Sequence, residues 1–362
     1  MEMETEMIDC NTDNEPELQP KEKLVEKQRT GTEEKEEKPE QEQPLDEVED
    51  KEIDENKLMN IVRGVRQNTT DGLYNFTLGK KLGNGTFGCI YAAVRKSDGK
   101  QVALKIFLKN KYTLYITPPG DTRRLPAEVA LLELVCKPPR CPYVIELLEW
   151  FELRRAFILV LERPDPCVDL FDHMETTYMS ESEIRLVMKQ IVLAACHCRE
   201  RGVLHRDIKS ENILFNPHTC EVKLIDFGCG DLHKDTIYKT YSGTQLYIPP
   251  EVYIDNGYKA DSSTVWGLGI LLYSLIYKQY PFSGKEEIVK GHVYYPFELS
   301  KASIDLISWC LERNPNNRPT LNQILEHHWF QDLYAGSLCL LPSSADVNSV
   351  LLYSSSSFGC FL

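Results

Sequence analysis

The chain has 362 residues, 42% of them hydrophobic and 27% charged, which allows about two domains and excludes fibrous, collagen-like and wholly disordered chains. The net charge of -14 belongs to one end: residues 1–60 hold 22 acids against 8 bases, and the rest is electrically balanced. That balance argues against an overall basic nucleic-acid binder, so nucleic acid is not an expected partner.

Residues 1–68, rich in Glu, Lys, Gln and Pro and nearly free of aromatics, are expected to be a disordered acidic tail, since they cannot bury enough apolar surface to offset ordering entropy. A strand-like stretch follows from Tyr74, through Cys89-Ile-Tyr-Ala-Ala-Val and Gln101-Val-Ala-Leu-Lys-Ile-Phe, joined at Ser97-Asp98-Gly99 by a hairpin signal. One helical pattern, with Pro126 in its first turn, runs Pro126-Ala-Glu-Val-Ala-Leu-Leu-Glu-Leu-Val. Strands are expected again over Tyr143-Val-Ile-Glu-Leu-Leu and Phe157-Ile-Leu-Val-Leu. Beyond residue 168 helical periodicity dominates, and the apolar run Val265 to Tyr277, too short for a bilayer, reads as a buried helix. From about residue 335 a Ser/Leu-rich tail begins. Met1-Glu-Met-Glu-Thr-Glu lacks the features of a signal peptide, and Cys360 stands one place wrong for prenylation. The 12 cysteines are dispersed and form no CxxC. A soluble, reducing compartment is expected, cytoplasmic or nuclear, with no membrane partner.

Three motifs carry chemistry. Leu82-Gly83-Asn84-Gly85-Thr86-Phe87-Gly88 has the spacing GxGxxG but leads into another strand at Ile90, not into the helix of a dinucleotide-binding loop. Glycines there let backbone lie close over phosphates. Lys105, flanked by apolar residues on the strand after the hairpin, has a partner of opposite charge available in Glu128 on the single helix. The third motif, His205-Arg206-Asp207-Ile208-Lys209-Ser210-Glu211-Asn212, is followed by Asp226-Phe227-Gly228. Asp207 can accept the proton of an attacking hydroxyl, Lys209 can offset charge on a transferring phosphoryl group, and Asn212 with Asp226 offers the hard oxygen ligands that Mg²⁺ takes. His205 is expected to pack and hydrogen-bond, leaving the base role to Asp207.

These residues, in this order, resemble the eukaryotic protein kinases over about residues 74–334. Tyr247-Ile248-Pro249-Pro250-Glu251 is similar to the family's Ala-Pro-Glu, and Arg318 to the arginine that pairs with that glutamate. The resemblance implies an α+β bilobal fold, with a five-stranded N-lobe carrying one helix over 74–161 and a mainly helical C-lobe over 162–334. It also implies ATP and Mg²⁺ as cofactors, protein or peptide substrates with Ser or Thr, and a monomer. Leu161-Glu162-Arg163-Pro164-Asp165-Pro166 is most similar to the hinge of the Pim serine/threonine kinases. Pro164 has no N–H, so the Glu162 carbonyl remains as hinge acceptor, and adenine must rest on apolar contact with Leu82, Ile90, Ala103 and Leu214.

The Pim resemblance further implies that Asp169, Asp172 and Glu211 receive basic substrate side chains, although Ser210, Gln279 and Lys285 stand where that family has acids. Thr240 occupies the place of an acid that pairs with the arginine of His-Arg-Asp. Arg206 is therefore expected either to lack that partner or to gain it from phosphate on Thr240, with an active unphosphorylated state favoured. Thr264 replaces the aspartate most kinases carry before Val265-Trp266, as in Pim kinases. The competing readings are a pseudokinase scaffold and a small-molecule kinase of similar fold. The first is opposed by the presence of Lys105, Asp207 and Asp226, the second by a full activation segment through Glu251 with its Gly243-Thr244.

Overall fold

The computed structural model describes residues 72–85, 88–110, 113–297 and 300–331. Both tails expected from the sequence, and Thr86 and Phe87 at the tip of the glycine loop, lie outside the described residues.

Apolar runs, nearly continuous in the central strands Gln101–Leu108 and Ala156–Glu162, build an antiparallel five-stranded sheet. Its members are β1 (Phe76–Gly85), β2 (Gly88–Arg95) and β3 (Gln101–Leu108), and further on β6 (Leu147–Glu152) and β7 (Ala156–Glu162), in the order β1-β2-β3-β7-β6. The expected hairpin joins β2 to β3: Gly99 takes φ 71, and the Asp98 carboxylate accepts from Arg95 at 2.6 Å and from the Lys100 N–H at 3.1 Å. Gly88 is dictated by close approach, because a Cβ there would sit 2.2 Å from the Ile106 carbonyl oxygen on β3. A small hairpin, β4 (Tyr115–Ile116) with β5 (Leu125–Pro126), leads into α1 (Ala127–Val135).

Two sequence expectations shift here. Pro126 precedes α1 as its cap instead of lying in the first turn, because it is paired in β5 with Tyr115. The strand expected from Tyr143 begins at Leu147; Val144 instead bridges Leu224, and Tyr143 accepts the Leu224 N–H at 2.8 Å. That apolar run ties the sheet region to the helical region before it joins the sheet.

The helical region contains β8 (Val168–Asp169), α2 (Leu170–Thr176), α3 (Glu181–Glu200), β9 (Val203–Leu204), β10 (Ile213–Phe215), β11 (Val222–Leu224) and β12 (Asp231–Leu232). After these come α4 (Pro250–Ile254), α5 (Ala260–Tyr277), α6 (Lys285–Lys290), α7 (Lys301–Cys310), α8 (Leu321–Glu326) and α9 (His328–Gln331). Ser180 and Glu183 form a capping box that starts α3. The expected apolar run forms the buried part of α5, and no helix among the described residues is long and apolar enough to cross a membrane. One apolar cluster runs from Phe107 and Val129 to Trp266 and Trp329, so the sheet's inner face and the helical region share a core.

The Glu251–Arg318 pair locks α4 onto the chain end of this region. Both side chains are buried, and Arg318 donates to the two carboxylate oxygens at 2.8 and 2.7 Å with its guanidinium 4.8 Å from the Trp266 ring. Arg318→Ala leaves Glu251 buried without its charge partner, so urea denaturation is expected to show a loss of about 3–5 kcal/mol.

Candidate active site

Three elements converge on Lys105. It lies on β3 at 2% exposure, its Nζ 2.5 Å from Glu128 Oε1 on α1 and 2.9 Å from Asp226 Oδ1 in the loop after β11. Burial by itself would lower the lysine's pKa; the two carboxylates outweigh it and hold the ammonium above the ordinary lysine value. Asp226 has φ 59, a left-handed conformation in which its Oδ1 also accepts the Gly228 N–H at 3.1 Å. Phe227 points the other way, fully buried and edge-on to His205 at 4.7 Å. The Asp226 side chain is therefore turned toward the lysine.

The catalytic-loop motif folds around Asp207. Asn212 donates from Nδ2 to the Asp207 carbonyl and to Oδ2, both at 2.9 Å. Thr244 gives Oδ1 its N–H at 3.0 Å and its hydroxyl at 2.7 Å. Lys209 donates to the Thr244 hydroxyl at 2.7 Å, and its Nζ is 3.5 Å from Asp207 Oδ2. Thr244 reaches this position because Gly243, at φ 137, passes so close to the catalytic loop that a Cβ would sit 2.5 Å from the Arg206 carbonyl. Thirty-seven residues of separation conceal this contact between Thr244 and Asp207 in the sequence.

His205 is a structural residue. Its Nδ1 accepts the Asp207 N–H at 3.3 Å, which leaves Nε2 to donate to the Ile225 carbonyl at 3.0 Å. Burial holds its pKa below the ordinary histidine value.

Ile225 donates its N–H to the Asn212 carbonyl at 2.9 Å, so Asn212 and Asp226 are neighbours across one backbone bond. With the Asn212 amide nitrogen committed to Asp207, its oxygen is the atom left for a ligand. Together with the Asp226 carboxylate it forms an oxygen donor set of the kind Mg²⁺ prefers.

Around this centre, Ala103 belongs to the shared core, with Ile90 from the sheet and Leu214 from β10 packed against it. Leu82 is 42% exposed at the rim. Gly83 and Asn84 lie at the end of strand β1, with Gly85 paired to Gly88; nothing stands within 4 Å of a Cβ built on Gly83. Glu162 ends β7, its carboxylate accepting from the Glu146 N–H at 2.9 Å and Lys223 at 2.7 Å.

The acids split between fold and surface. Asp169 caps α2, accepting the Asp172 N–H at 2.7 Å, which is the ordinary role of an acid at a helix start. Burial raises its pKa, and the charges of Asp172 and Glu211 add to the effect, so these acids feel one another. Glu211 Oε1 lies 3.7 Å from Lys209. Of the residues standing where acids were expected, Ser210 is buried and donates to Glu211 at 2.9 Å, while Lys285 lies 5.2 Å from the Tyr253 ring.

Arg206 goes without an acid at position 240, one of the two expected alternatives, and finds its partners elsewhere. Its side chain donates to the carbonyls of Cys229 at 2.5 Å and Gly230 at 2.9 Å, and lies 3.8 Å from Asp231 Oδ2. The arginine has an acidic neighbour from β12 without any phosphate; the sequence reading looked for it only at Thr240. Thr264 hydrogen-bonds back to the Ala260 carbonyl at 2.9 Å within its own helix.

Comparison with known proteins bears on the same residues. The Protein kinase domain family matches residues 76–330. The chain belongs to the protein kinase family. It is 38% identical over 263 residues to the serine/threonine-protein kinase pim-2 of Danio rerio, covering 71% of this chain and 85% of that protein. It is 35% identical to prk-2 of Caenorhabditis elegans and to ppk6 of Schizosaccharomyces pombe, both also named serine/threonine-protein kinases. Those matches cover 70% and 72% of this chain but 58% and 34% of the relatives' own lengths. The bilobal fold and protein kinase membership expected from the motifs therefore hold.

In this kinase the buried lysine cannot lose a carboxylate cheaply. Glu128→Gln is expected to lower kcat/KM for ATP about 10²-fold, the equivalent of about 2–3 kcal/mol, in steady-state kinetics.

Proposed function

We infer that the kinase transfers the γ-phosphoryl group of MgATP to Ser or Thr hydroxyls in basic segments of protein substrates, as a Pim-like monomer of the cytoplasm or nucleus. The observation that carries this reading is the joining of Asp207, Asn212, Lys209 and Thr244 by hydrogen bonds of 2.7–3.0 Å, one backbone bond from the Lys105–Asp226 pair. A pseudokinase needs none of this mutual arrangement.

The roles follow from chemistry. Asp207 orients the substrate hydroxyl and takes its proton as the oxygen attacks the γ-phosphorus and the bond to the β,γ-bridging oxygen breaks, releasing ADP. Lys105, fixed by Glu128, positions the α- and β-phosphates. Lys209 offsets charge on the transferring group. Gly83, Gly85 and Gly88, with the intervening Asn84, Thr86 and Phe87, cover the phosphates. Asn212 and Asp226 would hold Mg²⁺, which supplies charge neutralisation between the phosphates when bound.

Leu82, Ile90, Ala103 and Leu214 give adenine its apolar contact, with one hydrogen bond to the Glu162 carbonyl. The donor missing at Pro164 weakens nucleotide binding by about 1 kcal/mol relative to a hinge offering two bonds. Asp169, Asp172 and Glu211 form the substrate's acidic surface. Their mutual repulsion supports this role, because a basic side chain placed among them relieves it. The partners Arg206 already has support activity without phosphate on Thr240.

Transfer of labelled phosphate to a basic Ser peptide tests the assignment. Asp207→Asn is expected to lose about 10³-fold in kcat, and Asp226→Asn to lose Mg²⁺-dependent turnover. Equal incorporation by both variants and the native chain would overturn the mechanism. Asp172→Asn is expected to raise KM for the basic peptide about two- to five-fold, an effect that shrinks in high salt; an unchanged KM removes Asp172 from the substrate surface.

A further inference from the structure

Pro164 leaves adenine a single hydrogen bond at the hinge, so nucleotide binding depends on how firmly Glu162, the residue that offers it, is placed. Three bonds place it. The Glu162 N–H donates to the Glu146 carbonyl at 2.9 Å, and Glu162 Oε1 accepts the Glu146 N–H at 2.9 Å. The same oxygen accepts from Lys223 Nζ at 2.7 Å.

Lys223 is a residue of β11, three positions before Asp226, and stands directly opposite Leu214 in the antiparallel register with β10. Opposed residues in such a pair present their side chains to one face. Val222 and Leu224 on either side are buried, so Lys223 shares its face with Leu214 and not with the core. The chain before β6 closes the figure: Tyr143 accepts the Leu224 N–H at 2.8 Å, and Ile145 donates to the Leu224 carbonyl at 3.0 Å. The hinge, residues 143–146 and β11 are thus tied in a triangle whose ionic side is Lys223–Glu162. A cavity of about 270 Å³ borders this pair, and its other cation, Arg140, is taken by Glu146 and by the Cys136 carbonyl at 3.2 Å. The side chains of Lys223 and Glu162 are 25% and 20% exposed, too sheltered for the pair to be idle and too wet for the fold to require it.

We propose that Lys223 is a positioning residue for the adenine end of the nucleotide. Through the Glu162 carboxylate it fixes the hinge residue whose carbonyl accepts from adenine, and it does not act on the phosphates. Without the lysine, that carboxylate keeps only the Glu146 N–H and turns toward water in the cavity, loosening the hinge. This rests on the nucleotide assignment above, and the test separates the two.

Calorimetric titration with adenosine, which has no phosphate and needs no Mg²⁺, would be set beside titration with MgATP for the native chain, Lys223→Met and Lys223→Arg. Lys223→Met keeps the unbranched stem opposite Leu214 and removes the charge; Lys223→Arg restores a cation. Lys223→Met is expected to raise Kd for adenosine and for MgATP by the same factor, about three- to five-fold. Lys223→Arg should stay within about two-fold of native for both. With a Ser peptide, Lys223→Met should raise KM for ATP by a similar factor while kcat stays within about two-fold of native, a split that a general loss of folded enzyme would not give. Native adenosine affinity in Lys223→Met, a loss confined to MgATP, or a loss in Lys223→Arg as large as that in Lys223→Met would each overturn the positioning role. Failure of the native chain to bind adenosine or MgATP would instead overturn the nucleotide assignment.

Discussion

An ammonium group at 2% exposure is the constraint on which this fold depends. Taking Lys105 out of water costs several kcal/mol, and the cost is met only if carboxylates reach it in good geometry. Those carboxylates come from α1 and from the loop after β11, so the sheet, its helix and the helical region must all be in register for one lysine to be stable. A displacement of either carboxylate by a few ångströms would leave the charge buried and poorly compensated. The same geometry places the lysine beside Asp226, which couples stability of the closed arrangement to competence for phosphoryl transfer.

The presentation of Glu128 depends on contacts outside its own helix. Helix α1 has no side-chain cap; its first N–H, on Ala127, is taken at 2.8 Å by the carbonyl of Leu114, just before β4. Farther along, Glu133 accepts from Arg123 at 2.7 Å and from the Trp150 ring N–H at 3.0 Å. Arg123 is itself oriented by Asp121. The hairpin and β6 thus hold the helix from both sides, and the core-facing side chains Val129, Leu131 and Leu132 complete the fixation. At the other end of the segment, Gly230 passes so close to α1 that a Cβ there would meet the Leu131 side chain at 2.5 Å, leaving little room for the helix to swing.

The sequence disclosed the chemistry more fully than the connections. Asp207, Lys209 and Asn212 were legible because one short loop carries them, and Lys105 with Glu128 because a lone lysine on an apolar strand needs a partner. The two-residue strands β4 and β5 were not legible, since Tyr115–Ile116 and Leu125–Pro126 are too short to show alternation and one contains proline. The run from Tyr143 looked like a strand because it is apolar; its partner, Leu224, is a tertiary fact. The Arg206 neighbourhood failed for the same reason. Motif position points to Thr240, whereas the structure supplies Asp231 and two backbone carbonyls.

Asp169 shows how a capping side chain also carries charge at the surface. Asp169 spends Oδ1 on the Asp172 N–H, which fixes the start of α2. Capping does not remove the negative charge; it restrains the direction in which that charge points. Burial, with the charges of Asp172 and Glu211 beside it, raises the cost of keeping it ionised. Lys209 approaches Glu211 from the catalytic side and weakens the acidity there, while Lys285, where the Pim-like pattern has an acid, is drawn over Tyr253. Negative charge therefore concentrates at the start of α2 and fades toward α6, where Lys285 stands.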